Sequence, residues 1–266
     1  MNIFVYEVKS NLKSMLIFSI SIVTLFLLLM LGVYPLYMDS KADIMKVLEN
    51  FPPAFAKAFG MSLENLFSYG GFYSFAFGYL ALIGGIMAVA LSLAIFAHEK
   101  RAKCVDFLLT KPMSRGTIFI RKLFAALSIL LVSDGIYILC SIVLYQKEVD
   151  SSISFARFLL ADLGLFFTQL IFLAFGAFYA IFAKKVRQIA GTATAFGFAA
   201  FILSSLSNVL EEEVMELVAP LKYFDPTPIF RGEVYPMKFV ITSVVLMLAC
   251  FTASYVRFCK QDMHAV

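Results

Sequence analysis

The chain has 266 residues, of which 61% are hydrophobic and 15% charged, with a mean hydropathy of +0.88; soluble domains run about 45–50% apolar and 25% charged. A single water-soluble globule is excluded, and no polar block is long enough for a separate soluble core, so the composition reads as one membrane domain over residues 1–266. The net charge of +4 does not indicate nucleic acid, because the basic residues are scattered among apolar segments and form no stripe with interleaved aromatics.

A helix needs about 20 apolar residues to cross the hydrocarbon, and uncharged runs of that size recur along the chain. At the N-terminus Phe4, Val8 and Leu12 are spaced by four, while Glu7, Lys9 and Lys13 are free to face water or head groups. That pattern predicts an interfacial helix on the membrane surface, with an ordinary cytoplasmic leader as the alternative. The first span follows at about 15–37. It is far longer than the roughly 7–15 apolar residues of a signal peptide and has no small-residue cleavage site, so it is read as a helix of the mature protein. The second uncharged run exceeds one span, and its helix is placed at about 73–97. Spans three and four, at about 123–145 and 158–183, each carry one aspartate, Asp134 and Asp162. Spans five and six lie at about 189–210 and 239–256. The reading is an all-α polytopic protein with six transmembrane helices.

An even count puts both termini on one side, and the Lys/Arg bias identifies it. Of the 22 basic residues, 14 fall on the side of the N-terminus, including seven between Lys100 and Lys122. The remaining 8 are spread over longer opposite loops that also hold most of the acids. Both termini are therefore expected in the cytoplasm. Tyr34, Tyr37, Tyr69, Tyr73, Tyr145, Tyr223 and Tyr235 all fall near outer ends, where an amphipathic ring favours the interface. The cysteines form no Cys-x-x-Cys metal signature.

The longest cytoplasmic loop, 98–122, joins spans two and three. Val105, Leu108 and Leu109 lie at i, i+3 and i+4, on one face of a short helix that Pro112 ends, and Ser114 is placed to cap the next helix. Arg121 and Lys122 are expected at the membrane surface. On this pattern alone the loop is either an interfacial helix on anionic lipid or a docking surface for a cytoplasmic partner.

The sequence Glu99-Lys100-Arg101, then Asp106-Phe107-Leu108-Leu109-Thr110-Lys111-Pro112-Met113-Ser114-Arg115, resembles the loop between helices two and three of ABC type-2 permeases. Bacterial members carry Glu-Phe-Leu-Leu-x-Lys-Pro-x-Ser-Arg there; this chain has Asp106 where glutamate is commoner. The resemblance extends to the basic N-terminal segment, the six spans and the outer stretch Leu221-Lys222-Tyr223-Phe224-Asp225-Pro226. It implies a cytoplasmic coupling helix that enters a groove on an ABC ATPase subunit, with Glu99, Asp106, Phe107, Leu108, Lys111, Pro112 and Arg115 as coupling residues. It further implies a connecting helix at the N-terminus, a second permease subunit, identical or related, and a place in the inner membrane.

No Gly-x4-Gly-Lys-Ser/Thr phosphate loop occurs, and the spacing Gly191 to Gly197 lacks the lysine. On this reading the chain is a transport subunit and not an enzyme, binds no cofactor itself, and relies on ATP and Mg bound by the partner ATPase. Protease signatures such as Gly-x-Ser-x-Gly and His-Glu-x-x-His are also absent. Asp134 sits near mid-span, where an ionised carboxylate costs about 2.5–3.5 kcal/mol. It is either a hydrogen-bonded helix contact or the ion-handling group of an autonomous secondary transporter or channel, the alternative to the permease. Asp162 is expected to be hydrated or paired. The outer segment 211–238, with five glutamates and four prolines, predicts short helices and turns over the outer face. Gly84, Gly85, Ala88, Gly176 and Ala180 are placed for close helix approach.

Overall fold

Long apolar sequence with no water to satisfy its main-chain groups leaves the helix as the local solution. The computed structural model describes residues 3–50, 52, 54, 58, 67–98, 114–148, 153–186, 188–210 and 212–260. Among these residues α1 is one rod over Ile3–Asp39, followed by α2 (Lys41–Glu49), α3 (Tyr69–Phe96), α4 (Arg115–Glu148), α5 (Phe155–Phe182) and α6 (Ile189–Leu210). The outer segment forms α7 (Glu213–Val218), a 3-10 turn (Pro220–Lys222) and α8 (Thr227–Phe230), and α9 (Met237–Lys260) closes the chain. Six helices, α1, α3, α4, α5, α6 and α9, are long and apolar enough to cross a membrane.

Contacts between them fix an alternating up-and-down arrangement. Ser19 of α1 bonds Ser133 of α4, and Phe26 packs on Tyr137, so α1 and α4 run parallel. The other ends of these helices meet where Glu7 pairs with Lys122. In α3 the order is reversed: Tyr73 lies beside Tyr137 and Ile95 beside Lys122. Asp134 and Ser141 of α4 meet Gln169 and Asp162 of α5, which is again antiparallel. Tyr79 packs on Phe201 of α6, and Phe119 of α4 packs on Phe258 of α9. The ends of α1 and α9 nearest the termini consequently share one end of the bundle.

The centre is the α3–α5 pair. α3 is apolar round its whole circumference and buried round most of it. Small residues let the two axes approach. A Cβ on Gly176 would sit 2.7 Å from Ser92 Cβ and 3.0 Å from the backbone of Val89, and one on Gly84 would meet Leu165 at 2.9 Å. Ser92 Oγ also donates to the Leu173 carbonyl at 2.7 Å. α6 packs on α3 and α9 on α5 and α4, both with broad exposed surfaces.

Two helices extend farthest beyond the hydrocarbon thickness. At 1.5 Å per residue, the 37 residues of α1 span about 55 Å, against a core of about 30 Å. The N-terminal stretch is thus continuous with the first span and not a separate helix. Its inward face is Ile3, Glu7, Asn11, Met15 and Ser19, whereas Leu12 is exposed. Near the other end α1 passes through a π-helical turn at Leu28–Val33. Pro35 follows; it has no N–H and its ring crowds the carbonyl four residues back, so the hydrogen-bond ladder widens there. α4 begins at Arg115, eight residues before the predicted span, because its first turns are basic yet helical. Ser114 caps it, accepting from the Thr117 N–H at 3.3 Å.

Candidate functional site

Polar residues in an apolar bundle are costly unless they find partners, so their partners locate the working parts. They form three groups: one at the end near the termini, one along the α3–α4–α5 interface and one beneath the outer segment.

At the first, Lys122 Nζ lies 3.0 Å from Glu7 Oε1 and donates to the Ile95 carbonyl at 2.5 Å. Lys122 is wholly buried and Glu7 nearly so. This corrects the expectation that Glu7 faces water and Lys122 lies at the membrane surface: a helix that starts before the span lets the two charges meet inside the packing of α1, α3 and α4. Tyr6 packs edge-on to His98 beside them. Arg115 Nη1 donates to the Cys259 carbonyl at 3.5 Å, in the last turn of α9, where the helix dipole favours a cation. Gly116 stands against Tyr255 and Phe119 against Phe258. The start of α4 is therefore docked on the end of α9. Of the expected coupling residues, Glu99, Asp106, Phe107, Leu108, Lys111 and Pro112 lie outside the described residues.

The second group is a column of buried polar side chains. Ser19 Oγ donates to Ser133 Oγ at 2.8 Å. At the next residue of α4, Gln169 Nε2 donates to Asp134 Oδ1 at 2.9 Å, while Asp134 Oδ2 and Gln169 Oε1 are buried without a hydrogen-bond partner among the described residues. Further out, Asp162 Oδ1 accepts from the Tyr73 hydroxyl, from Ser141 Oγ at 3.0 Å and from the Tyr137 hydroxyl at 3.2 Å. The two tyrosine hydroxyls are 2.8 Å apart, and Phe26 packs edge-on to both rings. Asp134 is thus a helix contact made through Gln169 of another helix. Asp162 is 1% exposed and is held by the hydroxyls of Tyr73, Tyr137 and Ser141. Sequence reasoning missed Gln169 as the partner of Asp134, and Tyr73 and Tyr137 as partners of Asp162. The signal was present: Asp162 and Gln169 are seven apart, as are Asp134 and Ser141, which puts each pair on one helix face two turns apart.

The third group is the outer segment, which folds inward between spans. Phe230 seats on Tyr73 at 5.1 Å and fills the space a Cβ on Gly70 would need. Gly164, nine residues into α5 and so about 14 Å below its start, admits the Tyr235 hydroxyl and the Phe224 carbonyl. Tyr235 donates to the Leu160 carbonyl at 3.1 Å. Burial pushes the Tyr235 phenol well up, helped by the charges of Asp225 and Asp162, and burial raises Tyr223 as well. Asp225 Oδ1 accepts from the Thr227 N–H at 2.8 Å and from its hydroxyl at 2.5 Å, starting α8. Gly232 takes φ 94°, which side-chain-bearing residues rarely adopt, and turns the chain back toward α9. Glu216 accepts from Lys238 Nζ at 2.9 Å and Lys222 Nζ at 3.5 Å. The Lys238 bond is the larger cause holding its carboxyl below the ordinary glutamate range, against the opposing effect of partial burial.

Among the described residues no group of three or more His, Cys, Asp or Glu side chains is placed to hold a metal ion. The sequence model for ABC-2 family transporter proteins matches residues 1–263, nearly the whole chain. No curated protein and no solved structure gives a significant match. With six membrane-crossing helices and a family match of that extent, the chain is a multi-pass membrane protein that belongs to the ABC-2 family of transporter proteins.

Proposed function

We propose that the chain is the transmembrane permease subunit of an ATP-driven exporter, a single membrane domain over residues 1–266 that forms the substrate pathway with a second permease subunit. Its termini lie in the cytoplasm, at the inner membrane, and a separate ABC ATPase subunit binds ATP and Mg. The observation that carries this reading is the family match over residues 1–263. The docking of Arg115 and Gly116 on the end of α9 supports it mechanically. The coupling residues Glu99, Asp106, Phe107, Leu108, Lys111 and Pro112 precede α4 directly, so a push on them is delivered to α4 and α9 together.

The test is copurification of the ATPase and substrate-stimulated hydrolysis. Phe107→Ala or Leu108→Ala removes apolar contact of about 1–3 kcal/mol per side chain from the ATPase groove, so ATPase recovery or coupling is expected to fall by a factor of roughly 5 to 150. Intact assembly and coupled transport in both variants would refute the coupling role. A second reading, an autonomous secondary transporter using Asp134, has one observation in its favour: the unpartnered buried oxygens of Asp134 and Gln169. It requires transport by the chain alone under an ion gradient, whereas the permease is inactive without its ATPase.

A further inference from the structure

Hydrogen-bond accounting singles out the contact between Asp134 of α4 and Gln169 of α5. Asp134 is 3% exposed and Gln169 0%. Gln169 Nε2 supplies one bond, to Asp134 Oδ1 at 2.9 Å, and the remaining oxygens of the two groups, Asp134 Oδ2 and Gln169 Oε1, have no donor among the described residues. Buried polar atoms normally have partners. A carboxylate oxygen and an amide oxygen are both acceptors only, so neither can satisfy the other.

The facing elements commit their own polar groups elsewhere. On α3, Gly84 leaves the slot in which the amide sits: a Cβ there would stand 3.0 Å from Nε2 and 3.3 Å from Cγ of Gln169. The Ser133 hydroxyl, at the residue before Asp134, accepts from Ser19 of α1 and is directed at Met87 Sδ of α3, 3.8 Å away. Tyr137, one turn along α4, is engaged with Tyr73 and Asp162. Asp162 lies seven residues from Gln169, about 10 Å along α5, and brings no positive charge. Lys122 lies 12 residues from Asp134, about 18 Å along α4, and is paired with Glu7. A bare carboxylate at this place would hold one bond from a neutral amide inside a membrane span, where ionised side chains are costly. One hydrogen on Asp134 Oδ2 removes the charge and turns that oxygen into a donor for Gln169 Oε1.

We propose that Asp134 and Gln169 form a proton-binding site. The carboxylate takes a proton from water, an O–H bond forms on Oδ2, and that hydroxyl donates to Gln169 Oε1 while Nε2 continues to donate to Oδ1. The pair is then a neutral two-bond clasp between α5 and α4, the helix tied to α9 through Arg115. The proposal rests on this contact and not on the export reading. The test is infrared spectroscopy of the full chain in nanodiscs at neutral pH, with aspartate isotopically labelled at the side-chain carboxyl carbon so that aspartate bands alone move. A protonated carboxyl absorbs above the amide I band, clear of carboxylates. The wild type is expected to show such a label-sensitive band, which persists in Asp162→Asn and is lost in Asp134→Asn. In Gln169→Leu the band is expected at higher frequency, because the Asp134 carbonyl has lost the Nε2 donor. Asparagine offers the same pattern as the protonated acid, an oxygen to accept and an N–H to donate, so Asp134→Asn is expected to melt at or above the wild-type temperature. A wild type without the band, as when a buried water bridges an ionised carboxylate and the amide, overturns the proposal. So does a band that Asp134→Asn leaves in place, one that Gln169→Leu does not move, or an Asp134→Asn protein that melts lower or fails to fold.

Discussion

Removing one member of the Glu7–Lys122 pair should damage the bundle far more than removing both. The pair is 3.0 Å apart, with side-chain exposures of 4% and 0%, so neither charge is screened by water. An exposed pair would contribute only about 0–1 kcal/mol. Breaking a buried pair by removing one member typically costs about 3–5 kcal/mol, or roughly two to four orders of magnitude in the folded ratio. Glu7→Leu leaves the Lys122 ammonium with the Ile95 carbonyl still bonded, while Lys122→Met leaves the carboxylate and loses that bond as well, a further 1 kcal/mol or so. The double variant Glu7→Leu with Lys122→Met removes both charges of this pair together, and it is expected to be more stable than either single variant. Tryptophan is absent, so a thiol-reactive fluorophore reporting exposure of the partly buried Cys140 and Cys250 is the suitable thermal assay in detergent. If each single variant melts within the range of an exposed pair, or the double variant is the least stable, the charges are solvated and the reasoning fails.

Asp134→Asn keeps an oxygen to accept from Gln169 and should preserve most transport, whereas Asp134→Leu orphans the amide and should cost about 1–3 kcal/mol of stability; loss of transport in a well-assembled Asp134→Asn protein would favour the ion-coupled reading. The carboxyl of Glu216 is held below its ordinary range by Lys238, so its contribution is present above the unfolded-state value and is lost as pH falls through the lower folded-state value. Hydrogen exchange of residues 213–230 should accordingly stay slow at neutral and mildly acid pH and rise only in stronger acid, with Glu216→Gln raising it already at neutral pH. Gly176→Val drives a branched side chain into the Val89 backbone and Ser92 and is expected to cost at least about 1–3 kcal/mol, read as a lower melting temperature; an unchanged value would mean that α3 and α5 sit farther apart than described.

The six spans were legible because uncharged runs of membrane length need no tertiary information. The cap at Ser114 was legible because its chemistry is local. The two polar clusters were not, because each charge was judged by its own neighbourhood. Glu7 looked like a surface residue, since it was grouped with Lys9 and Lys13 apart from the apolar Phe4, Val8 and Leu12, and only the register between α1 and α4 brings it to Lys122. Asp162 was placed near the outer end of its span and therefore near water, but the inward fold of Phe224, Phe230 and Tyr235 keeps water away from that depth. Periodicity within one helix carries no information about which segment of another will cover it.

α1 and α4 are joined at one end by a buried ion pair and run side by side, yet they are not equally stiff. α4 contains no proline and holds its hydrogen bonding from Arg115 to Glu148, so a displacement imposed at Arg115 reaches Tyr137 and Ser141 without loss. α1 keeps pace as far as Phe26, which packs on Tyr137, and then enters the widened turn at Leu28–Val33. Mechanically the pair behaves as a rigid strut beside a strut with a soft joint, and the joint lies outward of the Asp162 cluster. Axial thrust on α4 therefore carries the Tyr137 and Ser141 hydroxyls along with the adjoining part of α1, and the strain is taken up in the last turns of α1, at the end of the bundle away from the termini.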